Sequence, residues 1–293
     1  MTQEELNYAL IDAAADRNDT DRVKELIAMG ANVNAVNDID CIQEGYTPLI
    51  RASMYGNTEA VRLLLESGAD INYQDRYGYT PLMRASMYGN TEAVKLLLES
   101  GADIKLTNML GISSFMMACS NGYIEIAELL LKHGADINRF GNGWNPITAA
   151  AMHDCQKIIT FLLENGADIN RANHRGETAL MLVCRNAVGK KKAIKLLLAG
   201  GADVNAADKE GQTALMSLAS ENGYTELMHI LIKFGADPDI RNNKGQTVLD
   251  LLSDRYPKKY AKWIEETVVK PRRKQLKKED CKKTALTGFE FDI

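Results

Sequence analysis

A five-residue phrase sets the architecture of this chain. GANVN at Gly30 returns as GADIN at Gly68, GADIK at Gly101, GADIN at Gly134 and Gly166, GADVN at Gly201 and GADPD at Gly235. The intervals are 38, 33, 33, 32, 35 and 34 residues. A second phrase keeps the same phase, as TPLI at Thr47, TPLM at Thr80, SSFM at Ser113, NPIT at Asn145, TALM at Thr178 and Thr213, and TVLD at Thr247. Two phased markers at one period define a stack of small units, each unable to bury its apolar face without its neighbours.

Each unit reads as helix, turn, helix and loop. Thr47 is an N-cap and Pro48 occupies the first helical position, where a missing N–H costs nothing. The helix ends at Gly56, which adopts the left-handed conformation readily. A second helix, NTEAVRLLLESG, places Val61, Leu64 and Leu65 on one face and closes at Gly68. In the equivalent first helix of the next unit, Leu82, Ala85 and Ser86 form the buried face, and Arg84, Met87 and Tyr88 the opposite one. The Asp of each GAD turn is expected to bond its own backbone.

TPLIRA and TPLMRA resemble the TPLHxA signature of ankyrin repeats, with Ile50 and Met83 where that family usually has His. The resemblance covers residues 5 to 256 and implies an all-α repeat solenoid of helix-turn-helix pairs with β-hairpin loops, capped at both ends. It divides the chain into an N-terminal capping repeat (1–35), repeats and the start of a C-terminal cap (36–256), and a C-terminal helix with a basic tail (257–293). Thr2 and Glu5 form a capping-box pattern at the start. The last unit carries a more polar helix with Trp263 and Ile264.

Residues 45–72 and 78–105 differ at three of 28 positions, Ile50/Met83, Arg62/Lys95 and Asn72/Lys105, which points to duplication. The family resemblance implies that the two residues before the helix-ending Gly, and the one before Thr, face a concave groove and carry partner contacts. Those positions are Tyr46, Met54 and Tyr55, then Tyr79, Met87 and Tyr88, with Arg51, Arg84 and Tyr77 beside them. An Arg four residues before a Tyr is placed for a cation–π contact. Later rungs are more polar: Ser120 and Asn121, Met152 and His153, Arg185 and Asn186, and, loosely aligned, Ser220 and Glu221. Phe140 and Trp144 lie in RFGNGWNP, where Trp144 either anchors a partner or folds over its own hairpin.

The residues do not assemble an enzyme. Four histidines, His133, His153, His174 and His229, have no ligand-spaced neighbours, and HExxH, GxSxG and GxGxxG are missing from the sequence. GKKK at Gly189 follows neither a strand nor a GxxxxGK pattern. Cys41, Cys119, Cys155, Cys184 and Cys281 are dispersed and odd in number, which suits reduced thiols. No cofactor, metal, membrane or small-molecule substrate is implied, and the chain is expected to be cytoplasmic and to bind another protein.

The competing signal is the tail. Residues 270–293 hold eight Lys/Arg against four Asp/Glu, including Lys270, Arg272, Arg273, Lys274, Lys277 and Lys278, so the remainder of a chain of net charge −4 carries −8. The tail reads as a nuclear-localisation or nucleic-acid segment, as an autoinhibitory strap on its own groove, or as a shield for the last repeat.

Overall fold

The computed structural model describes residues 1–17, 19–37, 45–220, 225–255, 262 and 265–274. They form two compact units, Met1–Ala167 and Asp168–Ile293. The first contains α1 (Gln3–Ala15), α2 (Thr20–Ala28), α3 (Pro48–Tyr55), α4 (Thr58–Glu66), α5 (Pro81–Tyr88), α6 (Thr91–Glu99), α7 (Ser114–Asn121), α8 (Ile124–Lys132), α9 (Pro146–Met152) and α10 (Gln156–Glu164). The second contains α11 (Ala179–Arg185), α12 (Lys191–Ala199), α13 (Ala214–Ser220), α14 (Thr225–Lys233), α15 (Val248–Arg255) and a π-helical turn, Glu265–Val269, whose helix runs on to residue 274.

Within each unit, the first helices of successive pairs pack against one another and the second helices do the same in a parallel row. The start signals act as the sequence predicts. The Thr47 hydroxyl accepts from the Ile50 amide at 3.3 Å, Thr80 from Met83 at 3.2 Å, and Asn145 Oδ1 from Thr148 at 2.9 Å. The Thr2–Glu5 capping box is formed in both directions. Gly56, Gly89 and Gly122 end their helices at φ of 70, 77 and 81°. The fifth repeat has Asp154 there instead, also left-handed at φ 55°.

The core is the seam between the two rows. Val61 and Leu64 are buried as their spacing predicts, but Ala60, not Leu65, completes the face. Leu65 is half-buried because the second-row helix turns its flank toward solvent.

The loops carry less β structure than expected. Among the described residues they contain isolated bridges only, Gly141 with Trp144 and Ala207 with Thr213. Their shape comes from polar side chains instead: Asp70, Asp103, Asp136, Asp168, Asp203 and Asp237 each accept the amide N–H two residues on. The Asn that closes the phrase has a second task, bonding to the next unit. Asn34 Oδ1 accepts from the Asp70 amide at 2.7 Å and its Nδ2 donates to the Gly68 carbonyl at 3.2 Å. Asn72 accepts from Asp103, Asn170 from Asp203, and Asn205 from Asp237. The repeated pentapeptide is thus an inter-repeat clamp as well as a turn.

Burial pushes the Cys119 and Cys184 thiols far above their ordinary value, so neither supplies thiolate at neutral pH. Iodoacetamide at neutral pH is therefore expected to leave both unmodified in the folded chain and to alkylate both in urea, read by peptide mass mapping. Labelling of either in the folded chain would show that the seam opens on the reaction timescale.

Candidate functional site

The two copies of RASMYG occupy α3 and α5, and their tyrosines emerge. Tyr55 is 42% exposed and Tyr88 43%, with Met54 and Met87 half-buried beside them. The carbonyls at the end of α3 are held from both sides. Arg17 Nε donates to the Tyr55 carbonyl at 2.5 Å, and Asn90 Nδ2 donates to the carbonyls of Ser53 and Met54, both at 2.8 Å. A Cβ on Gly56 would stand 2.4 Å from Asn90 Oδ1 and 2.6 Å from Arg17 Nη2, so these side chains would have to shift, and the left-handed φ of 70° favours Gly in its own right.

The identical arginines part company. Arg51 is half-buried, with its guanidinium 5.2 Å from the Tyr55 ring centre and 3.6 Å from Asp12 Oδ1, the cation–π geometry expected of it. Arg84 does not lie on the exposed face as its helical position predicts. It is only 5% exposed, and its Nη2 donates to Asp75 Oδ2 at 2.6 Å. Its guanidinium lies over the Tyr79 ring at 4.1 Å and the Tyr46 ring at 5.1 Å, in place of Tyr88.

The cause is the direction of helical side chains, which lean toward the N-terminus and so back toward the preceding loop. Nine residues before Arg84 that loop presents Asp75; nine before Arg51 it has Ile42. Asp75 Oδ1 also accepts from the amides of Tyr77 and Tyr79 at 2.9 and 2.8 Å, so one carboxylate shapes the loop and anchors the arginine.

Beside Tyr79 the face of the first unit opens into a cavity of about 170 Å³ lined by Tyr79, Met87, Ile112, Met116, Met117 and Trp144. Ser120, Asn121 and Asn142 supply its polar margin. Trp144 is half-buried rather than projecting, and Phe140 is half-buried too. The hairpin below is a two-residue turn: Gly141 and Trp144 exchange backbone hydrogen bonds of 2.8 and 3.0 Å, with Asn142 and Gly143 at φ 53 and 76°. The half-buried Trp144 forms one wall of the cavity.

Comparison with known proteins agrees with this architecture. The family model described as "Ankyrin repeats (3 copies)" matches residues 10–108, 105–173 and 180–264. The chain belongs to the ankyrin-repeat family. It is similar to the ankyrin repeat protein YahD of Escherichia coli (strain K12), 39% identical over 62 residues, or 21% of this chain and 28% of that one. It is also similar to ankyrin repeat protein R664 of Acanthamoeba polyphaga mimivirus, 38% identical over 55 residues, or 19% of this chain and 34% of that one. The alignments span about a third or less of those relatives. The crystal structure of the human ASB11 ankyrin repeat domain superposes with a TM-score of 0.67 at 29% identity, covering 78% of this chain and 98% of that one. Ankyrin repeats are in general protein-interaction modules and typically not enzymes.

The remaining predicted positions spread over the ankyrin scaffold. Tyr46 and Met152 are half-buried, Tyr77 and His153 exposed. Met109 and Leu110, 75% and 54% exposed, were not singled out by sequence reasoning. They follow Tyr77 on the next fingertip, where the Met109 amide donates to the Tyr77 carbonyl at 3.0 Å. The signal was present as apolar NMLG in a loop position where the preceding repeat has DRYG.

Of the tail, Lys277 and Lys278 lie outside the described residues, as do Glu221, Trp263 and Ile264. Arg272 is buried and donates to the Gly235 carbonyl at 3.2 Å, Arg273 pairs with Asp239, and Lys270 and Lys274 are exposed. Among the described residues, no cluster of metal-ligating side chains occurs and no helix is long and apolar enough to cross a membrane.

Proposed function

We propose that the first unit binds a partner protein through the face bearing Tyr55, Tyr88 and the apolar cavity, with one apolar partner side chain seated between Tyr79, Met87, Met117 and Trp144. The cavity is the observation that carries this reading: its volume suits a single large side chain, and its polar margin suits the peptide backbone on either side. Tyr55, Tyr88 and Arg51, carried by α3 and α5 of the same unit, add residue types that dominate binding energy. Their scaffold is ordered in advance, so little conformational entropy opposes association.

The alternative, a basic tail that addresses the chain to nucleic acid or to the nucleus, has less support, because Arg272 and Arg273 are engaged by Gly235 and Asp239. Affinity purification with quantitative mass spectrometry tests the groove reading. Replacing Tyr55 and Tyr88 by Ala, or Met87 by Glu, is expected to deplete the proteins recovered by the wild-type chain about tenfold or more, with the melting temperature nearly unchanged. Equal recovery by all three proteins would end the proposal, and a large fall in melting temperature would place the tyrosines in the core.

A further inference from the structure

The second unit carries a cavity at the same register with opposite chemistry. Counted from Thr80 and Thr178, Glu177 stands where Tyr79 does, and Arg185 where Met87 does. Counted from Ser113 and Thr213, Gln212 replaces Ile112 and Ser217 replaces Met117. The resulting cavity, about 530 Å³, has Arg185 and Glu177 in it, with His174, Arg175, Lys209 and Glu210 around it.

Its acidic groups are largely committed within the fold. Glu177 is buried and accepts from Arg185 Nη2 at 2.5 Å and from Asn173 Nδ2 at 2.9 Å. Burial alone would raise its carboxyl, but the hydrogen bonds from Asn173 and Arg185 outweigh that and hold it below the ordinary glutamate range, so it stays ionised. Asp208 Oδ1 accepts the amide N–H groups of Glu210 and Gln212 at 2.9 and 2.8 Å and shapes its own loop. That leaves Arg175, Lys209 and His174, with Glu210, on the margin.

The backbones that carry Arg175 and Lys209 are held together. The Lys209 amide donates to the Arg175 carbonyl at 3.0 Å, which joins the two fingertips. A Cβ on Gly176 would stand 3.0 Å from the Lys209 amide nitrogen, so the loops touch closely. Arg185, its side chain 38% exposed, is oriented by Glu177 and lines the cavity.

We propose that this cavity is a second recognition site, which takes carboxylate side chains from an acidic, extended peptide segment. Arg185 receives one carboxylate as a directional donor, and Arg175 and Lys209 receive others on the margin. The charge balance selects peptide over nucleic acid. Among the described residues, Arg175, Arg185 and Lys209 are the only Lys/Arg lining the cavity, enough for a short run of carboxylates but too few to track a phosphate backbone, whose affinity comes from many such contacts. The site does not rest on the reading of the first unit, whose cavity is apolar.

A random-peptide display selection on the full chain tests this, with the charge-reversed variant Arg175→Glu/Lys209→Glu and the groove variant Tyr55→Ala/Tyr88→Ala in parallel. Both altered cations are exposed, so the melting temperature should hold, which thermal unfolding verifies. The wild type and the groove variant are expected to enrich Asp/Glu-rich peptides, the charge-reversed protein to lose them. A fluorescent peptide from the enriched set should bind the charge-reversed protein about tenfold or more weakly by anisotropy, with affinity falling as salt is raised. No acidic enrichment, retention of acidic peptides by the charge-reversed protein, or tighter binding of a single-stranded oligonucleotide than of any selected peptide would each overturn the proposal.

Discussion

Asp75→Ala is expected to destabilise the chain by about 3–5 kcal/mol, far more than its place on a loop suggests. The substitution leaves the Arg84 guanidinium buried without its carboxylate, and removes the acceptor for the Tyr77 and Tyr79 amides. Arg51→Ala, which breaks a 3.6 Å pair between a half-buried arginine and the exposed Asp12, should cost only about 0–1 kcal/mol through that pair. Urea unfolding of the two variants under one protocol makes the comparison. Replacing both partners, Arg84→Met with Asp75→Asn, should recover a good part of the loss, because the buried charge itself is then gone. Equal unfolding midpoints for Asp75→Ala and Arg51→Ala would show that Arg84 reaches water when its partner is removed.

Gly141→Ala should cost about 1–3 kcal/mol or more and distort the cavity of the first unit. A Cβ at this position would stand 2.2 Å from the Gly111 carbonyl oxygen and 2.9 Å from the Ile112 amide nitrogen. These are backbone atoms, so relief requires the Trp144 hairpin to move off the neighbouring loop. Gly134→Ala is the control: its φ is 92°, but nothing lies within 4 Å of the added carbon, and the strain of a left-handed alanine should be about 1–2 kcal/mol. Thermal unfolding measures both. In the partner assay Gly141→Ala should fail with Trp144 displaced, while Gly134→Ala should bind normally. Equal stabilities and equal binding would mean that the hairpin does not set the wall of the cavity.

Much of the scaffold was legible because it depends on local chemistry repeated many times. Thr–Pro starts, helix-ending glycines and the 3.6-residue spacing of Val61 and Leu64 act over a single turn or two, within reach of a sequence reading. The tyrosines were legible for the same reason, since position within a helix fixes which side Tyr55 and Tyr88 occupy. Arg84 was not, because a long side chain can follow a partner off its nominal face. The bridging role of Asn34 and Asn205 was hidden as well: each looks like a turn residue, and its second bond goes to another repeat.

By itself, then, the sequence determined the ankyrin period, the helix pairs, their caps and the buried stripe, because these follow from spacing and backbone preference within each unit. Only the tertiary structure decided what the repeated RASMYG does. The same six residues give a half-buried Arg–Tyr contact in one repeat and a buried ion pair in the next, where Asp75 stands nine residues before the arginine; the sequence has Ile nine residues before Arg51. The two cavities belong to the same category. Tyr79, Met117 and Trp144 lie in separate repeats, as do Glu177 and Lys209, and they become neighbours only when the repeats stack.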